Sequence, residues 1–233
     1  RSYAFSSCDS LTSVRIPESV TNIDAQAFSG FDSLTIYCEA NSKPNEWDSD
    51  WKGSISHVYW GINENNYLEQ DGLIYLIIDG NAVVAGREFI DIKDIVISPT
   101  ITIGENNYNV TKIGDYAFYN SYFINSVSIP YGIESRRKSA FQDSRKLVSI
   151  FIPDSVTSIE ENAFFGCDSL NVYCEANKQP SEWDSGWKES MSDVYWGINE
   201  DNYIEQDGLV YVVLDKNAIV VGYKSTTLAV MLP

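Results

Sequence analysis

One stretch of this chain is written twice, and that duplication limits the possible folds more than any other feature. Residues 27–86 recur without a gap as residues 163–222, an offset of 163 − 27 = 136. Roughly two thirds of the aligned positions are identical, far above chance for a self-comparison. The same offset reaches back to pair Ile16-Pro17-Glu18-Ser19-Val20-Thr21 with Ile152-Pro153-Asp154-Ser155-Val156-Thr157, and weakly forward to pair Ile95-Val96-Ile97 with Met231-Leu232-Pro233. The chain therefore reads as about 1.7 copies of one long unit, opening and closing inside it.

A shorter beat runs within the unit. Ala-Phe pairs stand at Ala4-Phe5, Ala27-Phe28, Ala117-Phe118, Ala140-Phe141 and Ala163-Phe164, with steps of 28 − 5 = 23, 141 − 118 = 23 and 164 − 141 = 23. Six residues after each Phe comes Leu11, Leu34, Ile124, Leu147 or Leu170. Ile-Pro follows at Ile16-Pro17, Ile129-Pro130 and Ile152-Pro153, then Val-Thr-x-Ile at Val20 to Ile23 and Val156 to Ile159. A period in the range of roughly 20–29 residues is one short strand per solenoid turn, and a single turn cannot bury its own face, so stacking is obligatory.

Residues 10–34 and 146–170 both carry Leu-x-x-Val-x-Ile-Pro-x-x-Val-x-x-Ile-x-x-x-Ala-Phe, almost position by position. The pattern resembles the BspA-like family of leucine-rich repeats, found in surface-exposed and secreted proteins of gut and oral bacteria and of some mucosal protists. The resemblance implies a mainly β, right-handed leucine-rich-repeat solenoid with short helical or 3₁₀ turns and β-hairpin insertions, placed outside the cell or on its surface and engaged in adhesion. The departures are Tyr37-Cys38-Glu39-Ala40 and Tyr173-Cys174-Glu175-Ala176, where Ile-Pro is lost, and Ile133 to Lys138, where IESRRK replaces Val-Thr-x-Ile-x-x.

Within one turn, Val14 and Ile16 point inward and Ser13 and Arg15 outward, and Pro17 ends the strand by denying a ladder donor. Val20 and Ile23 face inward from the opposite wall, and Ala25 to Phe28 form a short helical turn that plugs the core with Phe28. Trp47 and Trp51, at i and i+4, are expected to share the face of one helical turn in a lengthened repeat. Leu73 to Ile78 and Ala82 to Ala85 flank Asp79-Gly80-Asn81, a hairpin signal echoed at Asp215-Lys216-Asn217. Ile95 to Ile97 and Ile101 to Ile103 read as another strand pair around Ser98-Pro99. The expected organisation is one elongated domain. Residues 1–60 end a first array with its Trp loop, 61–109 are a β-hairpin segment, 110–196 a second array with its Trp loop, and 197–233 a second hairpin segment.

Charge excludes whole classes of partner. Sixteen basic against 33 acidic residues give a net charge of −17, which argues against nucleic-acid binding, where Lys and Arg must neutralise phosphates, and against anionic lipid. No apolar run approaches the ~20 residues that cross a bilayer, and no membrane insertion is expected. The acidity serves solubility, with carboxylate ligands for calcium as the alternative. Cys8 and Cys167 stand in a slot filled elsewhere by Phe31, Ser121 and Ser144, and Cys38 and Cys174 take the inward position of Ile16, Ile129 and Ile152. All four read as buried thiols acting as small hydrophobes, a disulfide such as Cys167 with Cys174 being the alternative in an oxidising compartment.

Catalytic material is sparse. The single histidine, His57, is replaced by Asp193 in the second copy and reads as an exposed loop residue. No phosphate-binding glycine motif or Cys-x-x-Cys occurs, and the acidic loop Glu46, Asp48, Asp50 becomes Glu182, Asp184, Gly186, so no metal site, cofactor or enzymatic activity is expected. What remains is surface. The outward strand row should be Arg15, Tyr37, Ser128, Phe151 and Tyr173, with Phe151 beside Tyr173 as an exposed aromatic pair on a concave sheet. The alternative is that these rings cover neighbouring apolar stems. Trp47, Trp51 and Trp60, with Trp183, Trp187 and Trp196, read as packing in preference to sugar stacking. The expected role is a binding module for a host or neighbouring-cell protein, matrix and mucin glycoproteins among them. A structural spacer is the alternative, and a carbohydrate-binding or glycan-active protein a weaker one.

Overall fold

Strands form in this chain where the beat sets β-branched and aromatic residues in short runs and a proline or tight turn stops them. The computed structural model describes residues 2–6, 8, 11–31, 34–53, 57–88, 92–136, 138–188, 193–199, 201–207, 209–214 and 217–223. The Asp215-Lys216 turn and the strand expected at Met231-Leu232-Pro233 lie outside them. The first array supplies β1 (Ser13–Ile16), β2 (Thr35–Cys38) and β3 (His57–Tyr59), parallel, with Ser13 opposite Thr35 and Thr35 opposite His57. A three-stranded antiparallel sheet follows, of β4 (Tyr67–Gln70), β5 (Leu73–Ile78) and β6 (Asn81–Arg87).

The second array contains β7 (Asp94–Val96), β8 (Thr100–Ile103), β9 (Asn106–Ile113), β10 (Ser126–Ser128), β11 (Ser135–Arg136), β12 (Ser149–Ile152), β13 (Ser158–Ile159), β14 (Asn171–Cys174) and β15 (Asp193–Tyr195). It ends in a second antiparallel sheet of β16 (Tyr203–Gln206), β17 (Leu209–Leu214) and β18 (Asn217–Tyr223). Two walls enclose its core. One is the parallel sheet β15-β14-β12-β10-β7, and the other runs β13-β11-β9 and continues through β6, β5 and β4, with β8 antiparallel to β9. Ile95 to Ile97 and Ile101 to Ile103 are therefore not partners. β7 pairs with β10, so the second array already begins there.

The core is a column of rings. Phe118, Phe141 and Phe164 are wholly buried and stack at 4.9 and 5.3 Å, close to the ~4.8 Å spacing of the strands that carry the turns. Phe5 stacks on Phe28 in the same way at 4.8 Å. Each ring is aimed inward by a left-handed residue two places earlier, Tyr3, Gln26, Tyr116, Ser139 and Asn162, with φ from 55° to 59°. A left-handed residue cannot continue a right-handed helix. The Ala-Phe plugs are accordingly turns, the Trp loops are turns as well, and no helix occurs among the described residues, which corrects the expected helical turns.

The Trp turn is longer by one residue at the plug: Phe28 bridges Lys52 and Phe164 bridges Lys188, a step of 52 − 28 = 24 against 23 between the plug phenylalanines. Trp51 lies 51 − 28 = 23 residues after Phe28 and meets its ring edge-on at 5.9 Å, as Trp187 meets Phe164 at 5.9 Å. The Trp51 carbonyl accepts the Phe28 N–H as the Ala163 carbonyl accepts that of Phe141, so tryptophan stands where alanine precedes the plug, and its ring fills the core from there. Trp47 and Trp183 bury their indoles and donate to the carbonyls of Val20 and Val156 at 3.1 and 3.2 Å, which satisfies their N–H groups and makes packing their structural role.

The cysteine slot has a donor function that the sequence reading missed. Ser144 Oγ donates to the Phe118 carbonyl at 2.7 Å and Cys167 Sγ to the Phe141 carbonyl at 3.1 Å, each tying one turn to the plug before it. Cys38, Cys167 and Cys174 are buried and reduced, and burial pushes the Cys38 thiol up to about 12. Cys8, at the open end of the first array, is exposed, which corrects its expected burial.

Candidate functional site: strand faces and their covers

The register does align the outward row. Arg15 stands beside Tyr37 and Tyr37 beside Tyr59, while Phe151 stands beside Tyr173 and Tyr173 beside Tyr195. The row is not free surface, however: Tyr37 is 1% exposed and Tyr173 2%. Each array's own hairpin folds back over its strand face. Tyr37 is packed with Ile62, Ile74, Leu76 and Ala85, and Tyr173 with Ile198 and Val212. β18 runs against β7, β10 and β12. Ser128 and Phe151 are half-buried, the Phe151 ring 5.2 Å from Tyr203. Of the five residues in the expected site, Arg15 alone is exposed. It pairs with Glu39 at 3.0 Å and lies 4.9 Å over the Tyr67 ring.

Two signals could have revealed the cover. Asp71-Gly72 and Asp207-Gly208 are hairpin dipeptides like Asp79-Gly80. Asp71 and Gly72 have φ of 53° and 75°, and Asp79 and Gly80 of 51° and 78°, the doubly left-handed loop that twists with its strands. These turns make a third strand and a sheet broad enough to cover an array face. The second signal is the run Leu73-Ile74-Tyr75-Leu76, apolar on both faces and buried on both. Leu73, Tyr75, Ala82 and Val84 face the second array's core, and Ile74, Leu76 and Ala85 face Tyr37. The first hairpin is a lid for one array and an end wall for the next.

Polar contacts clasp the lids at their rims. In the first copy Arg15 bridges Glu39 and Tyr67, and the Tyr67 hydroxyl donates to Glu69. Glu88 lies against Glu69, and its carboxyl is raised by burial and then by that neighbour. In the second copy Phe151 and Lys224 replace Arg15 and Glu88, and Glu175 accepts from Tyr131 instead. Glu39 and Glu175 keep one shared task, accepting the backbone N–H of Glu18 at 3.0 Å and of Asp154 at 2.9 Å. A clasp rebuilt with different chemistry in each copy is a fastening, and its carboxylates are not placed as a repeated acid–base pair.

The remaining titration shifts have the same origin. Burial raises the Tyr37 and Tyr173 phenols, and Tyr75 to about 12. Burial also lowers Arg87, whose Nε donates to Ser121 Oγ at 2.8 Å where the hairpin meets the second array. His57 lies in β3, half-buried, its ring 4.5 Å from Tyr59, which corrects its expected loop position. Among the described residues no three His, Cys, Asp or Glu side chains cluster as metal ligands. The best-formed hollows hold about one water each. Among the described residues the large apolar side chains left open on the second array are Tyr122, Phe123, Tyr131, Val148 and Phe165, each 43–48% exposed, with Lys146 Nζ 5.9 Å over the Phe123 ring.

Parallel strands spaced by one turn of the beat, a stacked ring column and two β walls define a leucine-rich-repeat solenoid. The BspA type leucine-rich repeat region matches residues 1–45 and 92–178 in six copies, and the chain belongs to that family. No curated protein matches it. A leucine-rich repeat protein from Bacteroides capillosus shares the fold at a TM-score of 0.50 and 22% identity, over 56% of this chain and 98% of that one. A leucine-rich repeat protein from Bacteroides ovatus is 27% identical at a TM-score of 0.45, over 55% of this chain, which spans only 33% of that protein. A leucine rich cell surface protein from Faecalibacterium prausnitzii is 14% identical at a TM-score of 0.35, over 67% of this chain and 61% of that one.

Proposed function

We propose that this chain is a non-catalytic binding module of a cell-surface or secreted protein, engaging a host or neighbouring-cell protein such as a matrix or mucin glycoprotein. The observation that carries the reading is a rigid BspA-type repeat array whose strand faces are occupied by its own hairpins while aromatic side chains stay open on the turn side. Contact then falls on Tyr122, Phe123 and Phe165, aromatic residues of the kind enriched at interface cores, with Val148 beside them in the surface, and Arg15 and Phe151 contribute at the rim of the lids. The family resemblance supports the location and the adhesive role.

The test is binding of the purified chain to arrayed matrix proteins, mucins and glycans, beside Tyr122→Ala/Phe123→Ala and Phe151→Ala variants. Selective binding lost in the double variant and kept in Phe151→Ala supports the turn-side surface; loss only in Phe151→Ala returns the contact to the strand side. The occupied strand faces favour a second reading, a spacer whose interlocked units project another domain. Silence of all three folded proteins would give that reading the lead.

A further inference from the structure

The last residue of the first hairpin carries a charge that the protein leaves unanswered. Arg87 ends β6 beyond the stretch that pairs with β9, half-buried where the hairpin, the first array and the first plug turn of the second array meet. Its Nε donates to Ser121 Oγ at 2.8 Å. Among the described residues no carboxylate stands within ion-pair distance of it, and its other N–H groups have no protein acceptor. Burial lowers its pKa. A guanidinium taken partly out of water without a counter-charge costs stability, and such a group is a candidate for binding. The duplication does not require it, since Tyr223 stands in its place in the second copy.

Hydroxyl groups surround the same spot. Arg87 lines a hollow with Thr12, Ser13 and Thr35 of the first array and with Tyr116 and Tyr119 of the plug turn, and no Asp or Glu among the described residues lines it. Thr12 Oγ1 is buried and has no hydrogen-bond partner. Glu88, next in the chain, lines the other hollow and lies against Glu69.

That lining selects a ligand. With room for about one water, the hollow admits the oxygens of one acid group, and the remainder of the ligand lies across its mouth. A guanidinium takes a carboxylate as a fork, and hydroxyls pair equally well with the donors and acceptors of a sugar. Tyr116 and Tyr119, half-buried with their rings edge-on at 5.7 Å, offer an apolar body with a polar tip beside it. An extended peptide finds little edge to pair with, because β6 has β5 on one side and β9 on the other.

We propose that Arg87 and the hydroxyls around it form a subsite for the carboxylate of an acidic sugar at the end of a glycan, the acid group on the guanidinium and the sugar ring against Tyr116 and Tyr119. The inference goes beyond the adhesive reading. Its residues are not those of the turn-side surface at Tyr122 and Phe123, so either reading can fail while the other stands.

Backbone amide NMR of the wild-type chain tests it, with N-acetylneuraminic acid and glucuronic acid titrated into the millimolar range. Glucose is the neutral control, and sulfate and a glutamate tetrapeptide are the competing anions. The sugar acids should give saturable shifts at Gly86, Ala117 and Tyr119, and glucose none. Arg87→Gln keeps an amide to donate to Ser121 but removes the charge, and should bind the sugar acids at least tenfold more weakly. Thr12→Val removes a hydroxyl that has no partner in the free protein, so its thermal melt should match the wild type while binding weakens at least twofold. Shifts that map elsewhere, equal shifts from glucose, or variants that bind like the wild type would each overturn the proposal. So would a response to the tetrapeptide or to sulfate without one to the sugar acids, which would mean an acidic peptide site or an adventitious ion only.

Discussion

The Tyr37 hydroxyl stands 2.5 Å from where a Cβ on Gly86 would begin, and donates to the Ala85 carbonyl at 3.1 Å. Tyr59 repeats the relationship one strand on, its hydroxyl 2.9 Å from a Cβ at Gly114. Gly114 occupies the place that holds Asp24, Arg137 and Glu160 in three other turns, and a side chain there would meet both the Tyr59 hydroxyl of the first array and the Val84 carbonyl of the hairpin, 3.1 Å away. The two arrays are joined by hydroxyls seated where side chains have been omitted.

That fit gives a double-mutant cycle. Gly86→Ala forces a methyl onto the Tyr37 hydroxyl and should cost about 1–3 kcal/mol, the range for overpacking a closed site. Tyr37→Phe loses one buried hydrogen bond, about 1 kcal/mol, but vacates the contested space. The double variant should therefore be more stable than the sum of the single losses implies, by at least 0.5 kcal/mol in urea titration. Strict additivity would show that Gly86 tolerates a side chain by other means.

The ring column predicts a gradient along the array. Phe141 is wholly buried between Phe118 and Phe164, whereas Phe5 is 41% exposed with one ring partner. Phe141→Ala should cost about 3–5 kcal/mol and Phe5→Ala well under half of that, read from denaturant midpoints. Equal losses would mean that the end turn is covered in solution.

The repeat made the solenoid legible because its signal is periodic: the Ala-Phe pairs, the Ile-Pro stops and the inward Val and Ile positions each recur and need only local stacking. The hairpins were legible as strands from Asp79-Gly80, but their destination was not. Where Ile74 and Leu76 pack is a relation between segments far apart in the chain, and no period encodes it. The expected row is largely covered for that reason. Tyr37 and Tyr173 were placed on the correct face of the correct strands, and the face is covered. The i, i+4 spacing of Trp47 and Trp51 does bring the two rings together, at 4.8 Å, but in a turn without a helix.

Thiol chemistry separates the end of the array from its interior. The thiolate is the reactive form, and only Cys8 is exposed, whereas Cys38, Cys167 and Cys174 are buried, with Cys38 held up to about 12. A disulfide-exchange reagent at pH 8 should label one thiol per native chain quickly and the other three only after unfolding in urea. Rapid labelling of two or more would indicate that the turns open locally.

Alkaline pH should unfold the protein well before acid chemistry does anything comparable to its core. Burial holds the Cys38 thiol up from 9.0 to about 12 and the Tyr75 phenol up from 10.0 to about 12, and it raises Tyr37 as well. Below pH 9 these groups are protonated in both states and their stabilising contribution is complete. Above it the unfolded chain releases protons that the native chain keeps, so the unfolding free energy falls with pH, first through Cys38 and more steeply above 10 through the tyrosines. Two pH units on Tyr75 alone amount to roughly 2–3 kcal/mol by pH 12. Urea midpoints followed by circular dichroism should be level from pH 7 to 9, decline from 9 to 10 and drop sharply by 11, and Tyr75→Phe should make that drop shallower. A midpoint that stays level to pH 11 would mean that the phenols ionise in place, which the packed contact between Tyr37 and the hairpin does not permit.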